Sequence, residues 1–137
     1  MRIEEFHSRR VPAGEEVDEL TEAIIGALIE VHRVLGPGLT EIMYENAVCN
    51  ELKLRSIKYA RQVPVAVEYK GKSIGDTRLD IVVEDKLILE LKACETLNSV
   101  HRAQVICYLR ATKLKIGLLV NFNVSILKDG IKRVVLS

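Results

Sequence analysis

From Leu79 to Ala93 the chain reads LDIVVEDKLILELKA, two apolar runs joined by a short charged turn. Leu79, Ile81 and Val83 occupy the odd positions of the first run, and Leu87, Leu89 and Leu91 those of the second. Side chains alternate across a strand, so a slip of one residue would turn one of these aliphatic sets out of the core. The simplest permitted pairing is a hairpin with the loop Glu84-Asp85-Lys86 and Val83 opposite Leu87. That register sets Asp80 against Glu90 and Arg78 against Lys92, all four on one face around Val82 and Ile88. Directly opposed side chains have Cβ atoms roughly 4.5–5.5 Å apart, and like charges there are destabilising. Two carboxylates so placed require a cation between them. Lys92 or Arg78 can supply it, and so can a divalent metal with oxygen ligands. The pattern leaves two readings open, a solvated salt-bridge cluster and a functional site.

The rest of the chain supplies the elements around this hairpin. Val17, Leu20, Ile24, Ala27, Leu28, Val31 and Leu35 follow helical spacing, and GPG at Gly36 to Gly38 stops that helix. A second helix is expected from Leu39 to Arg55, with Leu39, Ile42, Met43, Ala47 and Leu52 inward. Val63, Val65, Val67 and Tyr69 alternate as a strand, in which Pro64 indicates an edge or a strand start. KGK at Lys70 to Lys72 makes a turn. NSVHRAQVICYLRATK reads as a helix capped by Asn98 or Ser99. Ile116–Phe122 and Ile131–Leu136 read as strands with a turn at KDG, Lys128 to Gly130. The resulting order, α-α-β-β-β-α-β-β, describes an α/β fold with a mixed sheet flanked by helices.

The 137 residues suffice for one domain, taken as 1–137 with residues 1–14 as a flexible leading segment. With 48% hydrophobic, 28% charged and only 4% aromatic residues, the core must be aliphatic. No apolar run approaches a membrane span, and the charged beginning MRIEEFHSRR is unlike a secretory signal. The three cysteines lack CxxC spacing and read as thiols of a reducing cytoplasm, not a zinc site or disulfide frame. A net charge of +1 does not advertise nucleic-acid binding, so any anionic partner must be held locally.

Asp80 followed by Glu90-Leu91-Lys92 resembles the D…(D/E)-x-K signature of the PD-(D/E)xK nuclease superfamily, with Leu79 standing where the literal motif has Pro. The helix, three strands, helix and strand between Leu39 and Phe122 are similar to that superfamily's restriction-endonuclease-like core. GPGLTEIMYENAV, with Gly38, Glu41 and Tyr44, resembles the motif of the GxxExxY group within it. IGALIEVHRVLGPGL, RLDIVVEDKLILELKA, HRAQVICYLR and GLLVNFNVSILKDGIKRVV extend the likeness over nearly the whole chain.

The resemblance implies a Mg²⁺- or Mn²⁺-dependent nuclease acting on DNA in preference to RNA. Asp80 and Glu90 would hold the metal with the Leu91 carbonyl, and Glu41 would add a carboxylate from the preceding helix. Lys92 would orient or deprotonate the attacking water. Gln104 and Tyr108 resemble a Q-x-x-x-Y element of RecB-like members, and His101 shares their helix face. Arg78, Tyr108 and His101 are the expected substrate contacts. Ordinary roles stand beside these: Glu41 as a first-turn carboxylate, Gln104, Tyr108 and His101 as a polar stripe, and His32 in packing or capping. A chain this small offers a short groove, which implies a homodimer or a partner protein. The rival readings are a non-catalytic nucleic-acid- or protein-binding module of the same fold and a hydrolase of small phosphate esters.

Overall fold

The computed structural model describes residues 13–136. Helices α1 (Ala13–Leu35) and α2 (Glu41–Leu54) lead into strands β1 (Tyr59–Tyr69), β2 (Lys72–Val83) and β3 (Leu87–Lys92). Helix α3 (Ser99–Thr112), β4 (Ile116–Asn121) and β5 (Ile131–Val135) complete the chain. The expected order is present, and the sheet runs β1-β2-β3-β4-β5. Only β3 and β4 are parallel, as the crossover through α3 requires. Residues 1–12 of the expected leading segment lie outside the described residues, and Ala13 and Gly14 already belong to α1.

The central hairpin has the derived register: Val83 pairs with Leu87, Val82 with Ile88 and Ile81 with Leu89. Glu84 and Asp85 take left-handed backbone angles in the loop, and the Lys86 amide closes it on the Val83 carbonyl at 3.0 Å. β2 starts earlier than the apolar run indicates, because Lys70 and Gly71, both at positive φ, form a two-residue turn pairing Tyr69 with Lys72. β1 is an edge strand, which is where Pro64 is tolerated.

The sheet separates two aliphatic cores. On one face Ile81, Val83, Leu87, Leu89, Leu91, Leu118 and Val120 pack with α1 and α2. On the other Leu79, Val82, Ile88, Leu119 and Val134 pack with Val105, Tyr108 and Leu109 of α3. Two expectations fail here. Leu79 was expected on the face of Ile81 but lies in the α3 core, so β2 changes face at Asp80. In α2, Ile42 and Met43 are exposed, and the inward row is Tyr44, Val48, Cys49 and Leu52. The reason is Tyr44, whose ring stacks on Phe122 at 4.4 Å between centroids and whose hydroxyl donates to the Gly36 carbonyl at 2.5 Å. The Leu39 amide donates back to that hydroxyl at 3.2 Å, so Tyr44 fixes both the rotation of α2 and the GPG loop before it. Gly38, at φ +108, occupies backbone space that side-chain-bearing residues rarely adopt. The second turn, at KDG, is a 3-10 turn over Leu127–Gly130. His32 has the packing role expected: it is buried near Phe122, with Nε2 2.8 Å from the Val124 carbonyl.

Gly117 lets α3 lie close on β4, since a Cβ there would fall 2.7 Å from Val105 Cγ1. Gly117→Ala should therefore lower stability by about 1–3 kcal/mol through overpacking. A urea melt checks this: the midpoint falls while the slope is unchanged.

Candidate active site

The β2–β3 ladder stops at Ile81 and Leu89, one step before the two acidic residues. There the strands exchange side-chain bonds. The Asp80 amide donates to Glu90 Oε1 at 3.0 Å, and the Leu91 amide donates to Asp80 Oδ2 at 2.8 Å. The carboxylates thus replace the backbone pairing that would have continued the hairpin, and satisfy amides that burial would otherwise leave orphaned. Glu90 is only 3% exposed and Asp80 is half-buried.

Lys92, next on the same face of β3, sets its Nζ 3.8 Å from Glu90 Oε2. The same Nζ donates to Gln104 Oε1 on α3 at 3.2 Å. Gln104 therefore aims the ammonium from α3. Asn98 caps α3 by accepting from the Val100 and His101 amides, and His101 Nδ1 accepts the Asn98 amide in return. Asn121 fixes the strand ends nearby: its Oδ1 accepts from the Cys94 amide at 3.1 Å and its Nδ2 donates to the Cys94 carbonyl at 2.8 Å.

Of the residues expected to form a site, the structure brings together Asp80, Glu90, Lys92 and Gln104. Glu41, the first residue of α2, is exposed and acts on both carboxylates through its charge. Tyr108 is 4% exposed, and its hydroxyl lies 3.3 Å from Thr77 Oγ1, so it is a layer-filling residue beside the cluster. His101, expected at substrate, instead finds its partner in the cap of its own helix. Arg78 does not join the cluster. Thr77 and Leu79 face α3, so Arg78 between them points away, and it donates to the Gln62 carbonyl at 3.3 Å. The expected pairing of Arg78 with Lys92 is absent because the β2–β3 ladder ends at Ile81 and Leu89.

Two participants carry weaker sequence signals. Glu45 lies one turn after Glu41 and is 4% exposed, accepting from Arg61 and from Gln62 Nε2. Its spacing from Glu41 is the only hint of it. Gln62, opposite Asp80, adopts φ +51, which its residue type does not announce.

Burial pushes the Glu90 carboxyl up to about 8, reinforced by the Asp80 charge and eased by the Asp80 amide and Lys92. Burial also raises Asp80, with Glu45 and Glu41 adding repulsion and the Leu91 amide and Lys92 opposing it. Without a further cation the pair therefore keeps a proton on Glu90 near neutral pH. Such a site fits a hard divalent ion, which replaces that proton and relieves the repulsion. Among the described residues no three His, Cys, Asp or Glu side chains converge as a ligand cluster. The protein would thus contribute Asp80, Glu90 and the Leu91 carbonyl and leave the remaining positions to water, an arrangement Mg²⁺ accepts.

The raised value has a stability consequence. Folded protein holds the Glu90 proton to about pH 8, while the unfolded chain releases it near the ordinary glutamate value of 4.5. The folded state binds more protons across that window, so this contribution is complete below it and lost as pH rises through it. Metal-free protein should melt lower at pH 9 than at pH 5. Glu90→Gln, which keeps an acceptor for the Asp80 amide, should reduce that slope and melt higher than wild type at pH 9. Parallel melting curves for the two proteins across this range would remove the assigned cause.

The model of one protein family, described as the PD-(D/E)XK nuclease superfamily, matches residues 18–134. No curated protein and no solved structure matches the chain. The family match runs from within α1 through α2, the carboxylate hairpin, α3 and β4 into β5. The mixed five-stranded sheet and its flanking helices have the restriction-endonuclease-like architecture. With the acidic pair, the lysine and the glutamine on that frame, the chain belongs to the PD-(D/E)XK nuclease superfamily.

Proposed function

We propose that the chain is a divalent-metal-dependent nuclease of the GxxExxY group, hydrolysing phosphodiester bonds in DNA in preference to RNA. The observation that carries this reading is the buried Asp80–Glu90 pair, with Lys92 Nζ 3.8 Å from Glu90 and held by Gln104. Asp80, Glu90 and the Leu91 carbonyl would hold Mg²⁺ or Mn²⁺, with Glu41 adding negative charge from the start of α2. A divalent ion held there would supply water activation near neutral pH and charge neutralisation at the phosphate. Lys92 would orient the attacking water or stabilise the phosphate oxygens, and Gln104 holds its Nζ from α3 beside Glu90.

Charge placement supports an anionic polymer as substrate. The near-neutral total conceals a division: Asp18 to Arg55 has seven acidic and three basic residues, whereas Thr96 to Lys128 has five basic and no acidic ones. The second stretch contains α3, with Arg102, Arg110 and Lys113 exposed. A groove between the start of α3 and β5 is lined by Arg102, Lys132 and Arg133. The substrate contacts first expected of His101 and Tyr108 therefore fall to exposed cations around the same helix. A homodimer or partner protein would lengthen this short track.

Mn²⁺ at millimolar concentration should raise the melting temperature of wild type by mass action. Asp80→Asn should lose that rise. Lys92→Ala should keep it, because an ammonium has no lone pair for a metal, yet should cleave roughly 10²-fold more slowly or worse. Cleavage of single- and double-stranded DNA and of RNA, run beside the melts, measures both. Wild-type cleavage by Lys92→Ala would sink the mechanism. Metal binding and nucleic-acid binding without cleavage by wild type would favour the non-catalytic module, and cleavage of mononucleotide esters alone a small-substrate hydrolase.

A further inference from the structure

We propose that Glu45 is a positioning residue: by holding Gln62 in a left-handed conformation, it fixes the break in β1 at which Asp80 is aimed toward Glu90. The inference rests on the proposed function, since it concerns how the metal-holding carboxylate is set.

The β1–β2 ladder passes from Arg61 paired with Ile81 to Val63 paired with Leu79, omitting Gln62 and Asp80 between them. Gln62 has φ +51 there, a conformation that crowds any side chain bearing a Cβ. On β2 the omission coincides with the change of face: Leu79 packs in the α3 core and Ile81 in the core of α1 and α2. A regular strand would set these two residues on one face. Asp80 sits at the switch, free of a backbone partner in either ladder, and its carboxylate reaches the Leu91 amide on β3.

Something must stabilise the unfavourable Gln62 backbone, and Glu45 provides it. Glu45 Oε1 accepts from Gln62 Nε2 at 2.8 Å. Its Oε2 accepts from Arg61 Nε at 3.0 Å and from Nη2 at 2.6 Å. Both oxygens of this buried carboxylate are thus directed at consecutive side chains of β1. Arg78 braces the same point from β2 through the Gln62 carbonyl. With α2 rotationally fixed by Tyr44, next in sequence to Glu45, the clamp is anchored to the core. Glu45 therefore serves the site through β1 as well as through its charge on Asp80, whereas Glu41 faces the acidic pair by charge alone.

A glycine test separates this conformational route from a direct effect of the Glu45 charge, because glycine adopts the left-handed region without a clamp. The measurement is Mn²⁺ affinity by calorimetry on the full chain, with a melt confirming that each variant is folded. Glu45→Gln places an amide donor among the Arg61 and Gln62 donors and should weaken Mn²⁺ binding about 10-fold, the scale of supporting contacts around metal ligands. Adding Gln62→Gly to Glu45→Gln should restore most of that loss. Gln62→Val leaves the Glu45–Arg61 ion pair intact and disfavours the left-handed backbone, so it should weaken Mn²⁺ binding in a similar way even if Glu45→Gln proves unfolded. Unchanged affinity in Glu45→Gln or in Gln62→Val overturns the inference, as does a Glu45→Gln defect that Gln62→Gly leaves untouched. Absence of Mn²⁺ binding by wild type overturns the proposed function itself, and the inference with it.

Discussion

Where the β2–β3 ladder ends, Asp80 and Glu90 each accept a backbone amide from the opposite strand, and the rest of the site follows from that exchange. The bonds let two carboxylates approach in a largely dry environment by giving each a donor. They do not neutralise the charge, so the pair remains short of a cation even with Lys92 at one side. This is a polar arrangement satisfied in its hydrogen bonds and unsatisfied in its electrostatics. A hairpin evolved only for stability would have no reason to retain it, since buried charge is costly and aliphatic replacements are available.

The two-core architecture makes such a pair possible. α1 and α2 bury one side of the sheet and α3 the other, so the strands are covered on both faces and the hairpin is fixed without help from its charges. The acidic pair lies within β2 and β3, one step past the last paired residues of their ladder. Close packing of α3 on Gly117 sets Gln104 within reach of Lys92, and the Tyr44–Phe122 stack sets the start of α2, hence Glu41. The position of each polar side chain thus depends on an apolar contact elsewhere.

Charge is segregated on the same plan. The acidic stretch folds into α1 and α2, and the acid-free stretch into α3 and β4. Within the acid-free stretch, Arg102 and Arg110 lie exposed on α3, whereas Lys128 belongs to the 3-10 turn that packs with α1. A whole-chain charge near zero cannot express this, because it sums over stretches of opposite bias.

Much of this was legible in the sequence because burial of a strand face is a strict condition. Two aliphatic sets at period two fixed the hairpin register, and with it the opposition of Asp80 and Glu90; helical spacing and the GPG and Asn98 boundaries located the helices. The same strictness misled at Leu79 and Arg78, where period two was continued through a point at which β2 changes face. That change depends on Gln62 in the neighbouring strand, stabilised by Glu45 from α2, a contact no local pattern encodes. The rotation of α2 was likewise decided by the stacking of Tyr44 on Phe122, far apart in the chain, and this exposed Ile42 and Met43. Sequence alone determined which charges share an element and a register, because covalent spacing and side-chain alternation are local. Tertiary structure decided which of them meet, because that depends on how separate elements pack.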